Sequence, residues 1–486
     1  MARESIENVT WEFGGRIVHI VTSGLLLIVL TRVLGPDRYG LLALAIAVFT
    51  FARLLSESGL HWSAARYIAE FKADHPDRAA AVVLESGLLV VGASTLVSLS
   101  LLLLSAPLAS LIGEPRLSPL LVAGSGVVFC YSIHRYNRHI LQGYEDIRGS
   151  ATVHSIEGVL TLAFVVGFVL YRPTALAAVV GYVLAYACGA AVGLVAVYRT
   201  GAIGSATFAD RSAIRWQLLR YNVPLTATRL SNVVDRQVGV LLVGYFLTAA
   251  SAGFYALGKQ IADFVRVPAA SLGFALAPTY GAQKTSGELD TATELFEESL
   301  RTTLILYVPA GAGLIIIAEP AILTVFGLEY AGAIVVVQIL AVFVFFHTLV
   351  NISAPGLDYL GRARIRAIAN AGTSAVNVVL TVALIPAIGV AGAAVAASVT
   401  TACYALVCLS VMYAELRFDL RSVAVCFSKV SAITVGMSLA VYTSTTYLTG
   451  AAAVAVGITI GVGIWLLACQ LLALFDVRQL VANRSG

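Results

Sequence analysis

Charged side chains recur deep inside long apolar runs of this sequence, at spacings that favour one face of a helix. In the first run Arg16 follows Glu12 by four positions and His19 extends the same face. In the second run Glu57 follows Arg53 by four positions, and residues so spaced are neighbours on a helix. A charge at membrane depth is costly unless it faces a cavity or a partner. These positions are therefore candidates for binding a polar or charged substrate.

The second half of the chain carries similar polar stripes. They comprise Arg229, Asn232, Asp235 and Arg236 in one run, and Lys259, Asp263 and Arg266 in the next. The stripes are biased to positive charge, which predicts contact with an anionic group. The predicted substrate-binding residues are Arg16, Arg53, Arg229, Arg266, Arg236, Lys259 and Asn232. A structural salt bridge is the competing interpretation for the arginines. Asp235, Asp263 and Glu57 are candidates for energy coupling, and neutralisation of nearby cations explains these carboxylates equally well.

An internal repeat superimposes two of these arginines on two others. At an offset of 213 residues, 16–69 align with 229–282, so that Arg16 meets Arg229 and Arg53 meets Arg266. Apolar identities are common in such a composition, whereas two coinciding intramembrane arginines are not. Six helices separate the two copies, and an even number gives both the same orientation. The sequence therefore predicts a parallel repeat related by an axis along the membrane normal.

The elements that carry these residues must be membrane helices. Hydrophobic residues make up 59% of the chain and charged residues 12%, against roughly 45–50% and about 25% in a soluble domain. A bilayer core of ~30 Å requires about 20 helical residues, and the runs are continuous rather than alternating, which excludes a membrane barrel. Fourteen helices are predicted. They span residues 13–33, 40–61, 80–105, 119–141, 151–171, 175–198, 222–247, 253–278, 300–326, 331–353, 367–386, 391–414, 427–448 and 452–475.

The repeat and the runs together predict the domain organisation. It comprises an N-terminal six-helix lobe (1–198), a cytoplasmic amphipathic linker (199–221), a C-terminal six-helix lobe (222–414), two appended helices (427–475) and a cytoplasmic tail (476–486). Lys and Arg mark the cytoplasmic side of membrane proteins. When the first and last three positions of each run are counted with the adjoining segment, nineteen of the 31 fall in one set of alternate segments and four in the other. This bias predicts a multi-pass protein of the cytoplasmic membrane with both termini in the cytoplasm.

Several function classes find no support in the residues. The net charge of +4 is too small for a nucleic-acid-binding surface. The stretch from Gly253 to Lys259 resembles a phosphate-binding loop, but Gln260 stands where such a loop needs Ser or Thr. No motif for ATP, a metal, a cofactor or a catalytic constellation is evident. The sequence therefore predicts a protein that is not an enzyme and uses no cofactor.

The segment Ile28–Glu70 resembles the opening of the polysaccharide-transporter branch of the multidrug/oligosaccharidyl-lipid/polysaccharide exporter superfamily, which includes O-antigen-type flippases. The turn from Leu34 to Leu41, reading LGPDRYGL, carries most of the likeness, and the stretch from Gly244 to Tyr255 is also similar. The resemblance implies an all-α protein with two six-helix lobes around a central cavity and two further helices, working by alternating access. The substrate would be an oligosaccharide linked to a polyprenyl (di)phosphate within membrane lipid. Glycan-assembly enzymes would be further partners.

Other functions stay open on the sequence alone. A cation-coupled multidrug exporter of the same superfamily would favour carboxylates over arginines in its cavity. A membrane glycosyl-polymerase or ligase would need a sizeable outer loop, and no outer loop here exceeds roughly a dozen residues. A non-transporting scaffold would tolerate loss of the arginines.

Overall fold

The chain folds entirely into helices over the part that the computed structural model describes. The description covers the backbone of residues 2–57, 59–201, 211–286 and 289–471. It leaves out the side chains of residues 2–17, 221, 223–229, 232, 272, 274, 275, 278, 281, 284–286 and 471. Fifteen α-helices fill these ranges, joined by short turns. The predicted all-α class is confirmed.

Eleven helices of the described ranges are long and apolar enough to cross a bilayer. Large apolar side chains on them are exposed, among them Leu96, Leu103 and Leu467 at 60% or more, as expected for surfaces that face lipid. The chain is therefore a multi-pass membrane protein. Of the fourteen predicted runs, the first two lie in one helix, and each of the other twelve lies in a helix of its own.

The first of two compact units comprises residues 1–253. Its helices are α1 (Ala2–Glu57), α2 (Leu60–Phe71), α3 (Pro76–Leu103), α4 (Ser105–Ile112), α5 (Ser118–Gly143), α6 (Ile147–Tyr171), α7 (Ala175–Arg199) and α8 (Arg211–Phe246). One core cluster joins Ile68 of α2, Val82 of α3, Ile140 of α5 and Leu218 of α8. This core fixes α2 and the start of α8 to the body of the unit.

Helix α1 is broken at Gly35. A straight helix of its 56 residues would be about 84 Å long, far more than the ~30 Å core of a bilayer. Gly35 has φ +69° and ψ 173°, a conformation that glycine adopts without steric cost. Pro36 then begins the second arm, where its fixed φ and missing N–H are tolerated. The predicted turn between the first two runs is this one-residue break.

The first turns of α8 are bound to α3 by a buried carboxylate. Glu85 is 1% exposed and lies 2.7 Å from Arg215 (Oε2 to Nη2) and 3.3 Å from Arg211 (Oε1 to Nε). Asn222 adds a hydrogen bond of 3.1 Å from Nδ2 to the Ser63 hydroxyl oxygen. The basic stretch that begins α8 is therefore anchored within the first unit by charge as well as by packing.

An ion-pair cluster outside the apolar runs ties the turn after Gly35 to the start of α5. Arg116 donates from Nε to Glu114 Oε1 and from Nη1 to Asp37 Oδ2, both at 2.8 Å. The hydrogen bond from Arg116 lowers the pKa of the Glu114 carboxyl. A carboxyl with a lowered folded-state pKa stabilises the fold above its unfolded pKa, about 4.3 for Glu, and this stability is lost as the pH falls through the folded value.

Replacing Glu114 by glutamine is therefore expected to lower thermal stability slightly at pH 7 and not at strongly acidic pH. The effect is small because the Arg116 side chain is 55% exposed and exposed ion pairs contribute about 1 kcal/mol or less. Thermal unfolding of both proteins in detergent across this pH range measures the difference. In an Arg116→Gln background the same substitution should show no such pH dependence. A difference that widens in acid contradicts the assignment.

The second unit comprises residues 254–486. Its described helices are the greater part of α9 (Ala249–Ser286), then α10 (Leu289–Ala321), α11 (Gly332–Tyr359), α12 (Ala363–Ile388), α13 (Val390–Leu416), α14 (Leu420–Tyr447) and α15 (Gly450–Leu471). Tyr280, Phe296, Leu357 and Met412 belong to one of its core clusters. This cluster joins α9, α10, α11 and α13.

The last two helices pack against α10. Cys426 and Val430 of α14 and Cys469 of α15 form a small core with Ile305. Trp465 of α15 donates its indole N–H to the Ile305 carbonyl oxygen at 3.0 Å. Direct packing thus makes these helices part of the second unit.

Three helical segments exceed what the apolar pattern predicts. Residues 62–71, which follow the predicted run 40–61, are helical as part of α2, because Leu60, Ala64 and Ile68 repeat at four-residue spacing and are buried. Residues 211–221, which belong to the predicted amphipathic linker, and residues 289–299, which precede the predicted run at 300, are the first turns of α8 and α10. In each case polar residues on the exposed face dilute the apolar signal without interrupting the helix.

Candidate functional site

A cationic and aromatic cluster lies between the second arm of α1 and α5. We call Arg53, Glu57, Tyr131 and Arg135 the Arg53 cluster. The Arg53 guanidinium carbon lies 3.9 Å from the centroid of the Tyr131 ring. A cation over an aromatic face is attracted by about 0.5–2 kcal/mol, the more so as water is excluded. Arg53 is thus held in place by an aromatic ring.

A second arginine approaches the same tyrosine from its hydroxyl end. Arg135 donates from Nη1 to the Tyr131 hydroxyl oxygen at 3.1 Å, and its Nε lies 3.6 Å from Glu57 Oε2. Glu57 was predicted beside Arg53 from their i,i+4 spacing; the arginine that lies within ion-pair distance of it in the structure is Arg135, across the helix interface. Two guanidinium groups and one carboxylate leave the Arg53 cluster with one excess positive charge.

Imidazole and indole rings extend this cluster. His61 Nδ1 lies 3.9 Å from Glu57 Oε2, and its ring stacks on His139 with centroids 4.5 Å apart. Trp62 packs against His139 at 4.8 Å and is 47% exposed. The Arg53 Nε and Glu57 Oε1 atoms are buried without a hydrogen-bond partner. These two atoms therefore retain capacity to bind a polar group.

The second unit places its cations differently. On α9 the Arg266 Nη2 lies 2.8 Å from Asp263 Oδ1 in an i,i+3 ion pair. Lys259 Nζ lies 6.0 Å and 5.8 Å from the ring centroids of Tyr255 and Phe343. Each of the predicted residues Lys259, Asp263 and Arg266 is half-buried. Asp263 offsets one of the two positive charges on this helix face.

The repeat-related arginines thus have unlike surroundings. Asp263 aligns with Thr50 at the 213-residue offset, and the Thr50 hydroxyl donates to the Ile46 carbonyl oxygen at 2.8 Å. The carboxylate that accompanies Arg266 has no counterpart three residues before Arg53. Among the contacts that the structure describes, Arg53 packs on the Tyr131 ring, whereas Arg266 pairs with the Asp263 carboxylate.

The remaining predicted residues are only partly described. Arg236 of α8 is exposed and Asp235 beside it is half-buried. The side chains of Arg16, Arg229 and Asn232 lie outside the described residues. Neither Tyr131 nor Arg135 is among the site residues predicted from the sequence. Tyr131 and Arg135 are four residues apart and therefore share a helix face, a signal that could have found them.

Residues 5–282 match the model of the family described as polysaccharide biosynthesis protein, more than half of the chain. The chain belongs to this family. The resemblance to the polysaccharide-transporter branch of the exporter superfamily is thereby confirmed.

Two curated proteins are similar to this family member in sequence. The succinoglycan biosynthesis transport protein ExoT of Rhizobium meliloti (strain 1021) is 25% identical over 370 residues, 71% of this chain and 69% of that protein. The probable low-salt glycan biosynthesis flippase Agl15 of Haloferax volcanii is 24% identical over 163 residues, 34% of each protein. The second match spans about a third of that relative.

Solved structures share the fold. The lipid II flippase MurJ in an inward closed conformation superimposes with a TM-score of 0.75 at 16% identity, over 98% of this chain and all of that one. An inward-facing multidrug resistance transporter of the MATE family gives a TM-score of 0.71 at 15% identity, over 82% and 94% of the two chains. This polysaccharide biosynthesis family member therefore has the fold of these membrane transporters.

Proposed function

We propose that the chain is a flippase for a lipid-linked glycan, and that its substrate is an oligosaccharide on a polyprenyl (di)phosphate. The named relatives are a succinoglycan transport protein and a glycan flippase, and the fold is shared with a lipid II flippase. All are transporters rather than enzymes. The chain would act by alternating access in the cytoplasmic membrane, with both termini in the cytoplasm.

The observation that carries this proposal is the excess positive charge of the Arg53 cluster. A (di)phosphate head group needs cations, and a guanidinium matches its oxygens with paired N–H donors. The attraction is strengthened where the surroundings have a low dielectric constant. The exposed face of Trp62 beside the cluster offers an aromatic surface to the polar head group. Arg16, Arg229, Arg236, Lys259, Asn232 and Arg266 remain proposed contacts of the same substrate.

Energy coupling is proposed to involve a carboxylate. Glu57 and Asp263 each lie within 4.0 Å of an arginine nitrogen, so a change in protonation would alter the net charge that a head group meets. Asp235 is the third candidate. Neutral substitutions at Glu57 and Asp263 distinguish the two roles. If a carboxylate couples transport to an ion gradient, the transport rate of its neutral variant should no longer depend on that gradient. If the carboxylate only neutralises a nearby cation, the dependence should be unchanged.

Reconstitution tests the function directly. Purified protein is placed in liposomes that contain a fluorescent polyprenyl-diphosphate oligosaccharide, and the fraction exposed outside is followed with an impermeant quencher. We expect exchange between leaflets with the protein and none with empty liposomes. A multidrug exporter would instead move cationic dyes against a gradient and leave the lipid-linked oligosaccharide in its leaflet. That result would contradict the proposal.

A further inference from the structure

A second polar cluster in the first unit lies between the first arm of α1 and α6. One ligand atom from each of His19, His154 and Glu157 can be chosen so that all three lie within 4.8 Å of one another. The rings of His19 and His154 stack with centroids 4.6 Å apart. His154 Nδ1 lies 3.5 Å from Glu157 Oε2. None of these residues belongs to the Arg53 cluster.

The polar atoms of this cluster are poorly satisfied by the protein itself. The Nδ1 atoms of His19 and His154 are buried and make no hydrogen bond, although buried polar atoms are nearly always paired. Glu157 is 5% exposed, and a buried carboxylate is costly unless it is paired or coordinates a metal. The contact with His154 is longer than an ordinary hydrogen bond. The arrangement therefore has unused capacity for a cation.

The donor set fits a divalent transition metal. Imidazole nitrogen and carboxylate oxygen bind Zn²⁺ at about 2.0–2.2 Å, which places tetrahedral ligands roughly 3.4 Å apart. The chosen ligand atoms lie within 4.8 Å of one another, and the His19 and His154 rings, which are stacked here, would have to turn to bring them to this distance. Two neutral imidazoles and one carboxylate give a three-ligand site, which leaves a fourth position for water. Arg138 lies within electrostatic range of His19, and the Glu157 charge offsets it.

The carboxylate is also oriented by a neighbour. The Thr161 hydroxyl donates to Glu157 Oε1 at 3.2 Å, which leaves Oε2 directed to His154. Hydrogen bonds of this kind fix the ligands of metal sites. His154, Glu157 and Thr161 follow one another at spacings of three and four on α6 and therefore share its face.

We propose that His19, His154 and Glu157 form a binding site for a divalent transition-metal ion that joins the first arm of α1 to α6. The site takes Zn²⁺ or Co²⁺ rather than Mg²⁺ or Ca²⁺, because the latter prefer an all-oxygen ligand set. This inference does not depend on the proposed transport function.

Metal titration of the full-length protein tests the site. The protein is purified in detergent, freed of its affinity tag, treated with a chelator and titrated with Co²⁺ and then Zn²⁺. We expect one Co²⁺ per chain, with visible absorption bands of a four-coordinate ion that Zn²⁺ abolishes. Mg²⁺ should not compete. Zn²⁺ should also raise the melting temperature, since a ligand that binds only the folded state stabilises it.

Two kinds of variant separate a metal site from a structural cluster. His154→Gln and Glu157→Gln should weaken Co²⁺ binding at least about tenfold, as loss of a ligand or its support does in metal sites. The exposed His75 serves as the control, and His75→Gln should bind as the wild type does. His154→Cys should retain binding and add a thiolate-to-Co²⁺ charge-transfer band, which a packing role would not produce. Equal binding by wild type and Glu157→Gln, or no Co²⁺ bands in either the wild type or His154→Cys, overturns the proposal.

Discussion

Replacing Arg53 by alanine is expected to reduce lipid-linked oligosaccharide transport about tenfold or more, with expression and thermal stability close to wild type. The change removes the guanidinium that packs on Tyr131 and abolishes the excess positive charge of the Arg53 cluster. A tenfold loss corresponds to about 1.4 kcal/mol in the activation free energy, within the range of one charge-assisted contact to a phosphate. The liposome exchange assay measures the loss.

A conservative substitution at Arg53 and a control outside the cluster sharpen this test. Arg53→Lys keeps the charge but loses the planar group that stacks on the ring, so an intermediate rate is expected. Arg172 is exposed and lies outside the cluster, and Arg172→Ala should leave transport unchanged. Wild-type transport by Arg53→Ala would exclude this residue from substrate contact. A structural role is excluded if the variant melts at the wild-type temperature while transport is lost.

Replacing Arg211 and Arg215 together by alanine is expected to destabilise the protein by about 3–5 kcal/mol, the usual cost of leaving one member of a buried ion pair alone. The penalty arises at Glu85, which is 1% exposed, rather than at the arginines, of which Arg215 is half exposed. Each single substitution should cost much less, because the other guanidinium still contacts the carboxylate. Thermal or denaturant unfolding in detergent measures the loss.

The same helix offers a matched control. Arg220 is exposed on α8, and Arg220→Ala should change stability by less than about 0.5 kcal/mol. Adding Glu85→Gln to the double variant should recover much of the loss, because the uncompensated charge is then removed. If the double variant is as stable as Arg220→Ala, the ion pairs with Glu85 do not anchor α8.

The sequence predicts the all-helical class and the order of the long helices because long apolar runs are a direct physical requirement of crossing a bilayer. It predicts less well where such a helix begins. The first turns of α8 and α10 are polar outside and apolar inside, so they lack the continuous hydropathy on which the prediction rests. The break at Gly35 was predictable, since a glycine followed by a proline favours an extended residue and a helix start.

The candidate site was only half predictable from the sequence. Helical spacing places Arg53 and Glu57 on one face, which follows from local geometry alone. Which neighbour each side chain contacts depends on how α1 packs on α5, and no local rule provides Tyr131 as the partner of Arg53 or Arg135 as that of Glu57. In contrast, Asp263 and Arg266 lie on one helix, and their ion pair follows from spacing.

The break at Gly35 also has a genetic consequence. His19 lies 16 residues before it and Arg53 18 residues after it, so along α1 the joint at Gly35 lies between the cluster of His19, His154 and Glu157 and the Arg53 cluster. Both arms belong to α1. Substitutions near the joint should therefore be pleiotropic. Variants selected for a change in one cluster are expected to carry altered behaviour in the other, and second-site suppressors should map across the joint.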